Sequence, residues 1–470
     1  MEDALTLIRE AKARGLGLIL DMVFNHTSTE HEWFKRALTG DPVYMDYYIF
    51  KDGTPDAPPT NWVSKFGGNA WEYVPALKKY YLHLFDVTQA DLNWENPRVR
   101  EELKNVIRFW KEKGVEGFRF DVVNLISKPA VFENDMEGDA RRFYTDGRHV
   151  HEFLKELTRD TGIDAMITVG EMSSTTLENC IRYSNPAEKE LSMVFSFHHL
   201  KIDYRGGAKW ALQEPDLMAL KKLFQVWQEG MAAGGGWNAV FWCNHDQPRI
   251  VSRLGDDERY PVVSAKMLAA CIHLMRGTPY IYQGEELGMT NAKYTDIVQY
   301  RDVESLNYYK ILLDEGTPKD EALTILAARS RDNSRTPMQW SAGENAGFTT
   351  GTPWLAPPEN YKTINAKAER ADTDSVFHFY QTLIRLRKEM PIIQKGDIFF
   401  LERENASVLA YERSLGNSKL RVYCNFRAAD VPLMEDALED LADAGWTKLL
   451  GNYEGLAGDL RPYEVVALTK

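Results

Sequence analysis

The chain has 470 residues, of which 44% are hydrophobic and 27% are charged, as is usual for a globular protein of two or three domains. Its formal net charge of −13 is not offset by any basic run, which argues against nucleic acid or an anionic membrane as a partner. The longest apolar stretches, such as 16–20 and 280–282, are too short to span a bilayer.

The four cysteines show neither a CxxC pair nor the spacing of a metal site, and Cys243 and Cys271 lie in apolar runs. The first residues also lack the basic-then-apolar form of a signal peptide. We therefore expect reduced, structural thiols and a cytoplasmic protein.

The chain opens with a predicted helix, Asp3–Arg14, followed by a continuous apolar strand at Leu16–Phe24. A helix that leads into such a strand is half of a βα repeat, the unit of parallel sheets. The unit recurs, with strands at Gly117–Val123, Ala165–Val169, Met193–Phe197, Ala239–Cys243 and Pro279–Tyr282, and helices at Asn96–Lys113, His149–Asp160, Asp216–Met231, Val262–Met275 and Ser375–Glu389. Six short apolar strands predict an α/β fold, a (β/α)8 TIM barrel that is two strands short.

Two features interrupt or end the repeat. Residues 27–96 are rich in Trp and Tyr and contain a Gly/Pro-rich loop, which predicts a small domain inserted after the third strand of a complete barrel. After about Pro391, alternating segments such as Ser407–Arg413 and Leu420–Phe426 predict a terminal β-domain. We therefore predict a catalytic barrel at 1–26 and 97–390, an inserted domain at 27–96, and a β-sandwich-like domain at 391–470.

Four acidic residues each end or follow an apolar run that is predicted to be a strand: Asp21, Asp121, Glu171 and Asp246. A carboxylate at the end of a buried strand loses hydration and destabilises the fold unless it has a partner. One such residue is usually a cap or an ion pair, but four on successive strands favour a function. In barrels, active sites gather at the carboxyl ends of the strands.

Hydrolysis of a glycosidic bond uses two carboxyl groups in opposite ionisation states. Arg119 precedes Asp121 by two residues and points to the same side of a strand, where its charge can keep Asp121 ionised as a nucleophile. Glu171 has no basic neighbour in its strand, and an apolar setting beside an ionised Asp would help it to keep a proton as the acid. Asp246 can stabilise the positive charge that develops on the sugar.

His26 and His245 each lie beside one of these acidic positions and can donate hydrogen bonds to hydroxyl groups. Either could instead bind a metal with Asp21 or Asp246, but neither pair belongs to a recognisable ligand cluster. Asp-rich calcium loops are also missing from the sequence. We therefore expect no metal and no other cofactor.

These segments resemble, in order, four conserved regions of the α-amylase family of glycoside hydrolases, and the resemblance covers essentially the whole chain. The matching stretches are Asp21-Met-Val-Phe-Asn-His26, Gly117-Phe-Arg-Phe-Asp121, Gly170-Glu-Met172 and Asn244-His-Asp-Gln247. The resemblance implies that Asp121 is the nucleophile, Glu171 the acid/base and Asp246 the transition-state stabiliser. It also implies that the glucose whose bond is cut is contacted by Asp21, His26, Arg119, His245 and Arg331.

Further stretches narrow the resemblance. Gln89-Ala-Asp-Leu-Asn93, Val122 and the segment Arg331–Trp340 are similar to the group that contains oligo-1,6-glucosidases, dextran glucosidases and trehalose-6-phosphate hydrolases. The segments 86–91, 171–176 and 197–204 look most like the trehalose-6-phosphate hydrolases. The resemblance therefore implies a retaining α-glucosidase that converts trehalose 6-phosphate, a small phosphorylated disaccharide, to glucose and glucose 6-phosphate.

Three other functions are alternatives on the sequence alone. An oligo-1,6-glucosidase would act on isomalto-oligosaccharides, and an isomerase or trehalose synthase with the same triad would transfer the glucosyl group instead of releasing it. A non-catalytic relative of the kind that accompanies amino-acid transporters would have lost carboxylates, whereas all of those named above are retained.

A phosphorylated substrate needs cations beside its phosphate, against a protein that is acidic overall. Lys201 and Lys209 flank the loop after the strand at Met193–Phe197, so we expect Lys201, and after it Lys209, to bind the 6-phosphate. The alternative is that both are solvated loop lysines. Family members begin with two further βα units ahead of Asp3, so the resemblance also implies that this chain lacks the first two barrel strands, which leaves its activity open. The sequence does not determine the oligomeric state.

Overall fold

The structure, a computed structural model, describes residues 1–433, 445–455 and 458–470. The chain divides into two compact units, the first made of Met1–Phe197 and Ala233–Asn238 and the second of His198–Ala232 and Ala239–Lys470. The predicted division into a barrel, an inserted domain and a terminal β-domain has other bounds and stays a prediction. No helix in the described part of the chain is both long and apolar enough to cross a membrane.

The first unit is built on a parallel sheet with the strand order β1-β7-β8-β9. Its strands are β1 Ile19–Met22, β2 His26–Ser28, β3 Phe50–Asp52, β4 Trp71–Val74, β5 Lys79–Leu82, β6 Gln89–Asp91, β7 Gly117–Phe120, β8 Ile167–Met172 and β9 Met193–Ser196. Its helices are α1 Glu2–Ala13, α2 Glu32–Leu38, α3 Pro42–Met45, α4 Pro97–Glu112, α5 Arg141–Tyr144, α6 Val150–Thr161 and α7 Leu177–Ser184. The four strands predicted for this sheet are confirmed, with ends that shift by a few residues.

Local sequence signals fix where these elements begin and end. Gly15 follows α1 with a φ of 72°, a left-handed conformation that ends a helix at little cost in glycine. The side chain of Asn96 accepts a hydrogen bond from the Arg98 N–H at 2.8 Å, and Pro97 occupies the first helical position of α4. Because α4 leads directly into β7, its caps also set the position of the strand that carries the Asp121 segment.

Strand β1 is less buried than its apolar sequence predicts. Ile19 is 37% exposed, and Met22 is the buried residue of the strand. The strand pairs in parallel with β7, and within the described ranges no strand pairs with its other edge. The Asp21 side chain is 49% exposed.

The tryptophan-rich segment between β1 and α4 builds its own small core. Strand β2 pairs with β6, and β5 lies between β3 and β4, all in antiparallel fashion. Trp62 and Trp71 are 1% and 3% exposed and pack with Val122 and Leu125, which follow β7. These two rings are core residues, and the segment is thereby packed against the chain that follows Asp121.

The second unit contains the remaining parallel pair and an antiparallel sheet with the order β12-β13-β14-β18-β16. Its strands are β10 Ala239–Val240, β11 Thr278–Pro279, β12 Asp397–Leu401, β13 Val408–Leu415, β14 Ser418–Asn425, β15 Val431–Pro432, β16 Thr447–Gly451, β17 Asp459–Leu460 and β18 Val465–Thr469. Its helices are α8 Leu217–Ala233, α9 Ile250–Leu254, α10 Pro261–His273, α11 Val303–Asp314, α12 Lys319–Arg329, α13 Asp332–Arg335, α14 Ala366–Ala371, α15 Val376–Glu389 and α16 Pro391–Lys395. The predicted terminal β-strands are confirmed.

Helix α10 is the centre of the second unit's core. Its residues from Ser264 to His273 are all buried, and the apolar ones among them share one cluster with α15 and with the inner face of the antiparallel sheet. The Tyr411 hydroxyl donates to the Cys271 carbonyl at 2.8 Å, which ties the sheet to the helix. The four cysteines are free and buried, as predicted for structural thiols.

Replacing His273 by Phe tests how this core responds to acid. Burial, together with the charge of Arg387, lowers the pKa of His273 to about 3, from 6.5 in an unfolded chain. Because the unfolded chain takes up a proton that the folded core excludes, this histidine reduces the free energy of unfolding as the pH falls from 6.5 towards 3. The free energy of unfolding of H273F minus that of wild type should therefore increase by about 2 kcal/mol from pH 8 to pH 5, measured by urea unfolding. The same pH dependence in both proteins would contradict this account.

Candidate active site

Arg119 lies among three carboxylates of the first unit. Its Nη1 atom is 2.7 and 2.6 Å from the two carboxylate oxygens of Asp21 and 2.7 Å from Oδ1 of Asp121, and its Nη2 atom bonds to Oε2 of Glu171. Strand pairing explains this arrangement, because Asp21 and Val169 both lie directly opposite Arg119 in the register. Glu171 is two residues beyond Val169 and so points to the same face.

The shared guanidinium sets the spacing of the two predicted catalytic carboxyl groups. Asp121 and Glu171 each touch a nitrogen of the same planar group, so they lie within the span of one side-chain head. Retaining glycosidases hold their two carboxyl groups about 5–5.5 Å apart, and a separation well over about 10 Å would exclude that chemistry. The shared contact keeps the two groups closer together than that upper limit.

Electrostatics in this cluster differ from the expectation in one respect. The expected apolar setting of Glu171 is wrong, because the neighbouring strand supplies a cation to it as well as to Asp121. Burial alone would lower the pKa of Arg119, but the charges of Glu171, Asp21 and Asp121 outweigh it and raise that pKa well above its usual value. Local sequence could not predict this contact, because 52 residues separate Arg119 from Glu171.

The chain turns sharply directly after Asp121. Val122 has φ 35° and ψ 40°, a left-handed conformation that a β-branched residue rarely adopts. Strain of this kind amounts to about 1–3 kcal/mol and persists only where the surroundings hold it. Here the side chain of Val122 is 6% exposed and packs in the core of Trp62 and Leu125.

His26 is held by a buried polar network in the same unit. Its ring nitrogens lie 3.3 Å from Nδ2 of Asn25 and 3.0 Å from Nε2 of Gln89. Behind them, the Lys128 ammonium donates to Oδ1 of Asn25 at 2.7 Å and pairs with Asp91 at 2.8 Å. Burial lowers the pKa of His26, although the charges of Asp91 and Asp121 oppose it, so the ring is neutral at pH 7.

Asp246 lies in a second cluster, which belongs to the second unit. Its Oδ1 atom is 2.7 Å from Nη2 of Arg335 and 3.3 Å from Nη1 of Arg331, and Oδ2 is 3.6 Å from Nε2 of His245. Burial by itself raises the pKa of Asp246, but the nearby charges of His245, Arg331, Arg335 and Lys209 lower it below its ordinary value. Asp246 is therefore ionised at neutral pH.

Two residues of this second cluster were missed by the sequence analysis. Arg335 contacts Asp246 more closely than Arg331 does, and its Nε atom donates to the His245 carbonyl at 2.9 Å. Asp302 accepts from Nη2 of Arg331 at 2.5 Å and is buried. Arg335 follows Arg331 by four residues in one helical segment, a spacing that could have indicated a shared face. Asp302 carried no such signal.

The segment with the two predicted phosphate-binding lysines is anchored by a buried ion-pair cluster. Asp203 pairs with Arg253 at 2.6 Å and with Arg329, and the three side chains are at most 5% exposed. Arg253 also donates to Oε1 of Gln247, next to Asp246, at 2.9 Å. Lys209 pairs with Glu304 at 2.7 Å.

Lys201 lies at the end of the short 3₁₀ helix His198–Lys201, and it is exposed. The charge of Lys209 reaches Asp246, since it contributes to the lowered pKa of that carboxyl group. Within the described residues, no three His, Cys, Asp or Glu side chains are arranged to hold a metal ion. The expected absence of a metal stays a prediction.

Comparison with known proteins places this geometry in a family. The family described as "Alpha amylase, catalytic domain" matches residues 1–396. The chain belongs to the alpha-amylase family of glycoside hydrolases. It therefore has the TIM-barrel catalytic domain of that family, followed by a C-terminal β-domain.

Relatives within the family are similar over most of the chain. The trehalose-6-phosphate hydrolase of Bacillus subtilis is 54% identical over 100% of this chain and 85% of its own length. A crystal structure of a trehalose-6-phosphate hydrolase variant from Bacillus licheniformis has a TM-score of 0.95 and 53% identity, and covers 100% of this chain and 86% of that one. The oligo-1,6-glucosidase of Parageobacillus thermoglucosidasius is 47% identical over 91% of this chain and 77% of its own length.

Replacing Asp203 by Asn tests the anchor of the lysine-bearing segment. The change leaves two buried arginines without their carboxylate, and breaking a buried ion pair in this way costs about 3–5 kcal/mol. We expect a loss of that size in the free energy of unfolding, measured with urea at pH 7. Glu30→Gln, which removes the exposed partner of Lys35, is the control and should be indistinguishable from wild type. Equal stabilities of D203N and the control would refute the anchoring role.

Proposed function

We propose that the chain hydrolyses trehalose 6-phosphate to glucose and glucose 6-phosphate, with retention of configuration at the anomeric carbon. The observation that carries this proposal is the similarity to trehalose-6-phosphate hydrolases over the full length of the chain, which exceeds the similarity to the oligo-1,6-glucosidase. The contacts of Asp121 and Glu171 with one guanidinium support a common site for the two carboxyl groups, which the double displacement requires.

In the first half-reaction, Asp121 attacks the anomeric carbon of the unphosphorylated glucose while Glu171 protonates the glycosidic oxygen. The bond to the leaving sugar breaks, glucose 6-phosphate departs, and the glucosyl group is bonded to Asp121. Glu171 has to bring a proton to this step, so its bond to Arg119 must weaken at that moment. Before the attack, Asp21 and Asp121 compensate the guanidinium charge, and once Asp121 has become an ester, Asp21 and the newly ionised Glu171 do so.

In the second half-reaction, Glu171 takes a proton from water while the water oxygen attacks the same carbon from the face that the leaving group vacated. The bond from this carbon to Asp121 breaks, which restores the Asp121 carboxylate. Two inversions give net retention, and glucose is released. The bond from Arg119 favours the ionised form of Glu171, which is the form that this step requires.

The remaining site residues bind and orient the sugar. Family membership suggests that Asp246 stabilises the positive charge on the glucosyl ring, and its ionised state at neutral pH supports that role. We assign binding of the glucose hydroxyls to His26, His245, Asp21 and Arg331, and we add Arg335 because of its contact with Asp246. Both ring nitrogens of His26 already have partners, Asn25 and Gln89, so the sugar hydroxyl replaces one of these contacts.

The substrate assignment is tested by assaying the chain with trehalose 6-phosphate and isomaltose under the same conditions. Trehalose 6-phosphate should be cleaved with the higher kcat/KM, and proton NMR should detect α-glucose as the first-formed anomer. Preference for isomaltose would instead establish an oligo-1,6-glucosidase. An isomeric disaccharide with little free glucose would indicate a transglycosylating isomerase.

Two substitutions separate the proposed roles of the carboxyl groups. Asp121→Asn should lower kcat by about 10⁴-fold or more on every substrate, because no glucosyl-enzyme can form. Glu171→Gln should lower kcat for trehalose 6-phosphate by about 10²–10⁴-fold. It should spare the first turnover of α-glucosyl fluoride, whose leaving group needs no proton. Glu178→Gln, an exposed carboxylate on α7, is the control and should retain full activity. Full activity of either active-site variant would exclude its role.

Recognition of the phosphate is proposed for Lys201 and Lys209, and the reach of the Lys209 charge to Asp246 supports the second of them. Removing a cation that pairs with phosphate should weaken binding by roughly 1.5–3 kcal/mol, or about 10- to 100-fold in KM. Lys201→Ala and Lys209→Ala should therefore raise KM for trehalose 6-phosphate and leave KM for 4-nitrophenyl α-glucoside nearly unchanged.

The matched control for this prediction is Lys222→Ala, which removes an exposed lysine on α8 and changes the net charge by the same amount. Equal effects of a lysine variant on both substrates would show that the lysine does not bind the phosphate.

A cytoplasmic setting also belongs to the proposal, and it is supported by the four free, buried thiols.

A further inference from the structure

Asn124 connects the segment that follows Asp121 with the segment that follows Glu171. It is fully buried and lies three residues after Asp121. Its Oδ1 atom accepts from the Ser173 N–H at 2.9 Å, and its Nδ2 atom donates to the Ser173 carbonyl at 2.8 Å. One carboxamide thus bonds both polar backbone groups of the second residue after Glu171.

The orientation of this carboxamide is fixed by Asp146. The second Nδ2 proton of Asn124 is donated to Oδ1 of Asp146 at 3.1 Å. The backbone N–H of Asp146 in turn donates to the backbone carbonyl of Asn124 at 2.9 Å. Asp146 also accepts from Thr175 at 2.8 Å, from Asn179 at 2.9 Å and from Tyr183 at 2.7 Å. Both N–H donors of the Asn124 side-chain amide and one acceptor site of its oxygen are therefore used, which fixes one orientation of its O and N atoms.

Backbone conformation shows why such a bond is needed. The segments that follow β7 and β8 each contain a residue in the left-handed conformation, Val122 at φ 35° and Ser174 at φ 54°. Neither residue prefers that conformation, so each exit has to be held by contacts from outside its own segment. Asn124 supplies such a contact between the two exits.

We propose that Asn124 is a positioning residue that fixes the direction of the Glu171 carboxyl group relative to Asp121. The inference rests on the acid/base and nucleophile roles proposed above. By holding the Ser173 peptide, Asn124 fixes the end of β8 that carries Glu171, while its own backbone continues the turn that carries Asp121. A misplacement of about 1 Å between such groups can cost roughly 10²-fold in rate.

The proposal is tested by the dependence of rate on the leaving group. Asn124→Ala should lower the first-turnover rate on trehalose 6-phosphate about 10²-fold, since the departing sugar hydroxyl needs a well-placed acid. The first turnover of α-glucosyl fluoride, followed by fluoride release, should change by less than about threefold, because fluoride departs without a proton. The ratio of the two rates on one preparation does not depend on the folded fraction.

Asn179→Ala is the matched control. It removes another amide that donates to Asp146, at 2.9 Å, but does not bond to Ser173. Its ratio of the two rates should equal that of wild type even if the protein is somewhat destabilised. Should the alanine variant of Asn124 fail to fold, Asn124→Ser replaces it, since a single hydroxyl cannot bond both polar backbone groups of Ser173, and its ratio should shift in the same direction.

The outcomes separate the two levels of inference. A changed ratio for N124A with an unchanged ratio for N179A supports the positioning role. If N124A loses both activities in equal proportion, or neither, then Asn124 is only structural and the proposal is wrong. Glu171→Gln, measured in parallel, must itself show the leaving-group dependence. If it does not, the proposed function of Glu171 fails, independently of the result for Asn124.

Discussion

The site depends on a single cation that compensates three carboxylates. Arg119 joins Asp21, Asp121 and Glu171 across three neighbouring strands, where mutual repulsion and loss of hydration would otherwise keep the acids apart or protonated. The parallel register brings these groups together at the carboxyl ends of the strands, and the guanidinium charge offsets the repulsion between them. In the proposed mechanism, Asp121 and Glu171 can then act on one anomeric carbon, the first as nucleophile and the second as acid and base.

Around this centre, buried polar networks hold the parts that have to be rigid. Asn124 with Asp146 joins two strand exits, and Lys128 with Asp91 supports His26 from behind. Each network satisfies polar groups that would be costly if left unpaired in the interior. Such support keeps the carboxyl groups in place before substrate arrives, which is how preorganised sites lower a barrier.

Specificity has a different structural basis from the chemistry. The family supports several reactions on sugars with one barrel, so discrimination has to come from loops at the strand ends. In this chain the segment after β9 carries Lys201 and Lys209, and Asp203 anchors it through two buried arginines. A loop that is fixed this firmly can present a cation at a defined position, which recognition of a sugar phosphate requires.

The sequence by itself determined the order of the elements and the identity of the main carboxyl groups. Apolar runs, helix caps and the acids that end the strands are local signals, and each of the six predicted strands overlaps a strand of the structure, although β11 shares only Pro279 with its prediction. Only the tertiary structure decided which groups meet. The bond from Arg119 to Glu171 spans 52 residues and that from Arg331 to Asp302 spans 29, so no local pattern records them. Strand register and loop closure set these contacts, because they bring together side chains that are distant along the chain.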